Sequence, residues 1–171
     1  SQIIRPDTGL FSAYESLIKV VTYAPEVDEN FEFTKHLAHK QIVPSIGHTK
    51  CTCAQALEAI DAGAKGFTHL FNAMTPLHHR NPGAVGAALS SDAYVELIAD
   101  TVHVHPTLFS VVEKVKTPAR MLLVTDAMRA ACLKDGVYDL GGQSVTVKGS
   151  EAKLSDGTLA GSTLNQMAAV R

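Results

Sequence analysis

"IVPSIGHTKCTCAQALEAIDAGAKGFTHLFN", residues 42–72, passes from one apolar run through a helix-like segment into a second apolar run, and a histidine stands near the end of each. Thr52 and Gln55 form a capping-box pattern at the head of CAQALEAIDAG, and Gly63 supplies its stop. The stretch reads as strand, helix, strand, which sets the two apolar runs parallel and side by side. His48 and His69 then occupy consecutive strand ends. A titratable ring at position 69 and an amide at Asn72 are costly to bury without partners, so they are either satisfied by neighbours or face a pocket.

The alternation extends in both directions. LIKVVTYAPE (17–26) precedes a helix-compatible segment around Glu32 to Lys40. After the loop AMTPLHHRNPG come a short small-residue helix over AVGAALSS, a fourth strand in YVELIADTVH (94–103), a helix over TLFSVVEKV opened by Pro106, and a fifth strand in RMLLVTDAM (120–128). Near-continuous apolar strands alternating with helices predict an α/β fold with a parallel sheet covered on both faces. Six of the eight histidines (His48, His69, His78, His79, His103, His105) lie at or just after strand ends, as does Asp126. Functional groups on several successive strand ends are how a (β/α)8 TIM-type barrel builds its active face, whereas an open sheet concentrates its site at one switch point. No G-x-G-x-x-G or G-x-x-x-x-G-K-[ST] run supports a nucleotide-binding alternative.

The end of the chain changes character. GVYDLGGQSVTVKGSEAKLSDGTLAGS is Gly-rich with short alternating stretches around Gly149 and Ser150, a β-hairpin-rich pattern, and STLNQMAAVR opens a helix at about Ser162. A complete barrel takes about 250 residues. With 171 residues and about five βα units, residues 1–171 are read as a partial barrel domain followed by the hairpin segment.

Composition narrows the function. A chain 46% hydrophobic and 19% charged, with formal net charge -2 and no Lys/Arg cluster, has no electrostatic footprint for nucleic acid or an anionic membrane, while one local basic pocket would suffice for a small anionic substrate. No apolar run reaches the roughly 18 residues of a membrane span, and SQIIRPDTGL lacks a signal pattern, so the expected location is cytoplasmic. Three cysteines argue against a disulfide framework. Cys51 and Cys53 near His48 raise a thiolate zinc site, but such a site needs four ligands and Cys132 is remote; small apolar residues at a helix start is the preferred reading.

Paired neutral imidazoles from His48 and His69 suit a divalent metal ion, zinc first, with iron, manganese and cobalt also compatible. Asp126 is placed to accept a proton and hand it on in metal-assisted hydrolysis. A third protein ligand, usual for catalytic zinc, is missing from this set. Each residue has a plainer role: a strand-end histidine is often hydrogen-bonded packing, Thr-Asp is a common helix cap, Arg80 has a fork suited to phosphate but stands in a loop, and Asn72 with the Ala73 amide either binds a ligand oxygen or shapes a turn.

GHTKCTCAQALEAIDAGAKGFTHLFNAMTPLHHRNPGAVGAAL, IADTVHVHP, LLVTDAM and DGTLAGSTL, in this order over about residues 18–171, resemble the N-acetylglucosamine-6-phosphate deacetylase family of the amidohydrolase superfamily. The resemblance implies that His48 and His69 are metal ligands and that Asp126 is the general acid/base, activating water for attack on the acetamide carbonyl and then protonating the departing amine. It further implies that Asn72, Ala73, Arg80, His103 and Leu159, Ala160 and Gly161 contact substrate, Arg80 through the sugar phosphate. The implied ligand is a small phosphorylated amino sugar, and the implied assembly of the full-length protein is a homodimer. The family's glutamate ligand, in an H-x-EGP segment, has no counterpart here, nor do the early barrel strands or the C-terminal part of the family fold; Glu26 of YAPE matches a different strand end and is not assigned to metal. Thr101 stands where the family usually has glycine, and Asn81 where it often has glutamate. Two-histidine metal binding without the glutamate is expected to be weaker and the segment alone to have little or no activity, while Thr101 is expected to narrow the loop near His103 and Asn81 to be mild. The competing readings are an amidohydrolase of a cyclic amide or another N-acyl sugar, a non-catalytic sugar-phosphate-binding fragment, and a metal-free βα domain.

Overall fold

The computed structural model describes residues 5–170; residues 1–4 of the N-terminal stretch and Arg171 at the end of the expected last helix lie outside the described residues. Five strands, β1 (Val20–Tyr23), β2 (Val43–Ile46), β3 (Gly66–Phe67), β4 (Tyr94–Ile98) and β5 (Met121–Val124), form one sheet in the order β1-β2-β3-β4-β5. The pairings β1 to β2, β2 to β3 and β3 to β4 are parallel, with Val20 opposite Val43, Ser45 opposite Gly66 and Gly66 opposite Tyr94. Strand order that follows chain order without reversal has no switch point, unlike that of a doubly wound sheet.

Between the strands run α1 (Glu32–His39), α2 (Cys53–Asp61), α3 (Gly83–Ser90) and α4 (Thr107–Lys116). The expected capping box is formed: Thr52 Oγ1 accepts the Gln55 amide at 3.2 Å and Gln55 Oε1 accepts the Thr52 amide at 2.9 Å. Gly63, with φ 127°, ends the segment in a conformation few other residues take. The head of α1 is satisfied differently, since Phe31 at its N-cap position has no side-chain acceptor. Buried Asp28 reaches in instead, its carboxylate accepting the Phe33 and Thr34 amides at 2.9 Å each.

The chain divides into two compact units, Ser1–Glu96 with Val115–Met121, and Leu97–Lys114 with Leu122–Arg171. The first has a core of Leu37, Ile46, Ala56, Ala59, Phe67, Leu70 and Val85, all essentially inaccessible. The second is built on an antiparallel sheet of β6 (Gly136–Leu140), β7 (Gln143–Lys148) and β8 (Glu151–Lys153). Alternation along β7 turns Val145 and Val147 inward onto Met128, Ala130, Ala152 and Ala160, while Ser144, Thr146 and Lys148 stay exposed.

Two expectations are corrected. GFTHLFN is strand only at Gly66 and Phe67, because His69 and Phe71 take positive φ (35° and 78°) and curl the chain away from the sheet. The last helix, α5 (Gln166–Ala169), begins after Ser162, capped by Asn165, whose Oδ1 accepts the Ala168 amide at 2.9 Å. Ser162 is drawn off into pairing beside β5: its amide donates to Asp126 O at 2.8 Å, its carbonyl accepts the Met128 amide at 2.9 Å, and its hydroxyl donates to Thr125 O.

Candidate functional site

His48 and His69 are brought together as the strand–helix–strand reading requires. Their Nε2 atoms lie 2.9 Å apart and their rings meet edge-on, centroids 4.7 Å apart at 80°. Both stand in the left-handed region, His48 at φ 49° and His69 at 35°, and so do Ala73 (48°), Thr101 (65°) and Asp126 (48°). Each such non-glycine conformation costs of order 1–3 kcal/mol and persists only where surrounding structure enforces it; Asn30, Phe31, Gln41, Thr117 and Cys132 take it away from the candidate chemistry as well.

Gly47 explains the close approach that sets His48. A Cβ there would meet Thr22 Cγ2 at 2.7 Å and Thr68 Cβ at 2.9 Å, so only glycine fits between β1 and the residue after β3. Beyond His48 the chain is held by Glu26, on the 3-10 turn Pro25–Val27 that follows β1. Its carboxylate accepts the Thr49 hydroxyl at 2.5 Å and the Lys50 amide at 2.6 Å, and the Thr49 amide donates to Ala73 O at 2.9 Å. Glu26, His48, Lys50, Ala73 and Thr75 share the wall of a cavity of ≈ 780 Å3 in the first unit. Glu26 thus braces the loop after His48, a position the sequence reading left without a role; its signal was a carboxylate placed just past a strand end.

The chemistry of the histidine pair follows from its nitrogens. His69 is buried, and its Nδ1 has no partner among the described residues. If the two neutral rings share one proton between their Nε2 atoms, that Nδ1 is an unsatisfied donor or acceptor, at a cost of about 1–3 kcal/mol. Two nitrogens each bound at about 2.0–2.1 Å to one ion at right-angled to tetrahedral geometry lie about 2.9–3.4 Å apart. The observed separation fits a shared cation. Among the described residues no cluster of three or more His, Cys, Asp or Glu side chains forms a metal site, so the pair is the whole of the donor set on view. Cys51 is buried, and burial pushes its thiol up to about 11, which keeps it neutral and in the role of a small apolar residue.

The other candidates are placed as follows. The Asn72 side-chain amide donates to His69 O at 3.3 Å and Leu70 O at 3.2 Å, so its donors shape the turn that carries His69. Arg80 is exposed, its Nη1 2.7 Å from His79 Nε2. In the second unit Asp126 is exposed and its carboxylate makes no hydrogen bond among the described residues; it caps no helix. The TLAGS segment lies against it: Gly161, at φ 66°, leaves room for a Cβ only 3.3 Å from Asp126 O, and Leu159 and Ala160 lead up to that contact. Also in this unit, His103 is bound to Asp100, with Nδ1 2.6 Å from Asp100 Oδ2.

No family model matches the chain. The N-acetylglucosamine-6-phosphate deacetylase of Bacillus subtilis (strain 168) is 52% identical over 167 residues, 94% of this chain and 42% of that protein. The crystallised deacetylase of Mycobacterium smegmatis, an aspartate-to-alanine mutant in complex with N-acetyl-D-glucosamine-6-phosphate, matches with a TM-score of 0.91 at 38% identity, over 96% of this chain and 45% of that one. This chain is a homologue of the N-acetylglucosamine-6-phosphate deacetylases. A structure of that enzyme from Thermotoga maritima agrees, with a TM-score of 0.89 at 41% identity over 96% of this chain and 46% of that one. The N-acetylgalactosamine-6-phosphate deacetylase of Escherichia coli O157:H7 is 42% identical over 163 residues, 95% of this chain and 43% of that protein. The chain spans somewhat under half the length of these deacetylases.

Proposed function

We propose that this chain carries the histidine and aspartate part of a metal-dependent deacetylase that cleaves the acetamide of N-acetylglucosamine 6-phosphate to glucosamine 6-phosphate and acetate. The observation that supports it most is the His48–His69 pair, its Nε2 atoms 2.9 Å apart, with His48 at the wall of an open cavity. His48 and His69 would hold the divalent ion, zinc or a similar metal, which when bound acidifies water and polarises a carbonyl. Glu26 fixes the loop behind His48. Asp126, unencumbered by hydrogen bonds, takes a proton from the attacking water and delivers it to the leaving amine. Arg80 holds the 6-phosphate, the anion its planar fork suits, and Asn72, Ala73, His103 and Leu159–Gly161 contact the sugar or its acetyl group. The remaining strands of a barrel, a cytoplasmic location and a homodimer belong to the same reading; no helix among the described residues is long and apolar enough to cross a membrane. The 171 residues alone turn over little substrate, since two histidines make an incomplete catalytic donor set.

A second reading exchanges the sugar for its galacto epimer, in keeping with the Escherichia coli relative. Grafting this chain in place of the matching segment of the Bacillus subtilis deacetylase and measuring acetate release from each 6-phosphorylated N-acetyl sugar tests both. The proposal predicts turnover of the gluco substrate that falls about 10²–10⁴-fold in Asp126→Asn. Preference for the galacto epimer selects the second reading, and a folded graft active with Asn at position 126 refutes the role of the aspartate.

A further inference from the structure

His103 stands on the turn that follows β4, and its ring is gripped from one side. Asp100 Oδ1 accepts the Val102 amide at 2.9 Å and the His103 amide at 2.8 Å, while Oδ2 lies 2.6 Å from His103 Nδ1. The two side chains are 4% and 7% exposed. The residue between them, Thr101, takes φ 65°, a conformation disfavoured for a β-branched side chain, and thereby closes the turn that aims the carboxylate at the ring.

The two oxygens do separate things. Oδ1 alone satisfies the turn amides, so a purely structural role would need nothing more. Oδ2 is given to the imidazole. A carboxylate only accepts, so in the neutral ring the proton resides on Nδ1 and the lone pair on Nε2. Nε2 makes no hydrogen bond among the described residues, and it is not one of their sealed, unpaired buried atoms. It is open to a ligand.

We propose that Asp100 is a positioning residue that fixes His103 in its Nδ1–H tautomer and so presents Nε2 as an acceptor for a hydroxyl group of the sugar ring. The His103 ring then discriminates by polarity. It welcomes an O–H donor and has no proton to offer a carbonyl or phosphate oxygen. The identity of the ligand rests on the deacetylase reading; the tautomer does not.

The test is ring-nitrogen NMR of His103 in the 171-residue chain with ¹⁵N-labelled histidine at neutral pH, the signal assigned by its loss in His103→Gln. The wild-type chain is expected to show a protonated Nδ1 and an unprotonated Nε2. In Asp100→Asn the amide oxygen keeps the two turn bonds while its NH2 faces Nδ1, so the ring is expected to change to the Nε2–H tautomer, and binding of N-acetylglucosamine 6-phosphate to weaken about tenfold. A wild-type ring found as the Nε2–H tautomer, or doubly protonated, overturns the proposal without reference to any variant, and so does an Asp100→Asn ring that stays in the wild-type tautomer. Added N-acetylglucosamine 6-phosphate separates the two layers. A wild-type Nε2 resonance that shifts upfield while remaining unprotonated supports the hydroxyl contact. An unmoved resonance on an Nδ1–H ring upholds Asp100 as the tautomer-fixing group and refutes the sugar contact.

Discussion

At the scale of single residues, some side chains hold candidate site residues in place through hydrogen bonds to their loops. Glu26 is one of these: both its oxygens are committed to Thr49 and Lys50, immediately beyond His48. Glu26→Gln keeps the size and loses one acceptor, so metal affinity measured by chelator competition is expected to fall about 10–100-fold with the fold intact; unchanged affinity would leave Glu26 as a loop brace without effect on His48. Thr101 stands at φ 65°, a conformation that glycine takes without steric cost. Thr101→Gly relieves a left-handed β-branched residue and is expected to stabilise the chain by up to about 1 kcal/mol in urea denaturation, the gain reduced by glycine's extra unfolded-state entropy. The strand-end placement of His48 and His69, and their closeness, were legible because residue type and strand-end position coincided. Glu26 and Asp100 were not, because what marks them is the partner each oxygen finds, which depends on loops of different strands folding back.

At the scale of elements, local rules account for most of what formed. The capping box of α2, its glycine stop and the alternation of β7 follow from sequence patterns alone. β3 and α5 departed from expectation for tertiary reasons: the apolar run GFTHLFN is cut short by the backbone curl that sets His69, and Ser162 is recruited to pair beside Asp126. Gly47 shows how tightly the strand ends are packed. Gly47→Ala would push a methyl carbon to 2.7 Å from Thr22 and 2.9 Å from Thr68, and is expected to cost about 1–3 kcal/mol by urea denaturation. It should also weaken metal binding, since the displaced strand end carries His48.

At the scale of the whole molecule, strand order equal to chain order decided against a doubly wound sheet, and the relatives agree with the fragments of sequence that resembled a deacetylase. The chain spans 42% of the Bacillus subtilis relative, in keeping with its reading as a partial chain. Stability carries an alkaline signature. Burial raises the Cys51 thiol from 9.0 to about 11 and raises the Tyr23 phenol as well, so folding favours the neutral forms. The stability that Cys51 contributes is complete below about pH 9 and is lost as pH rises toward 11. Urea midpoints across that range should fall, and fall less in Cys51→Ala; equal slopes would mean that the thiol is not held neutral by the fold.

The deacetylase proposal depends on His48 and His69 together holding a divalent ion. Titration of the metal-free chain with Co²⁺, followed by its visible absorption and by competition with Zn²⁺, tests it most directly. One ion per chain is expected, with the Zn²⁺-displaceable signal lost in both His48→Ala and His69→Ala. Uptake of the same stoichiometry and affinity in the two variants, or none in the folded wild-type chain, would contradict it.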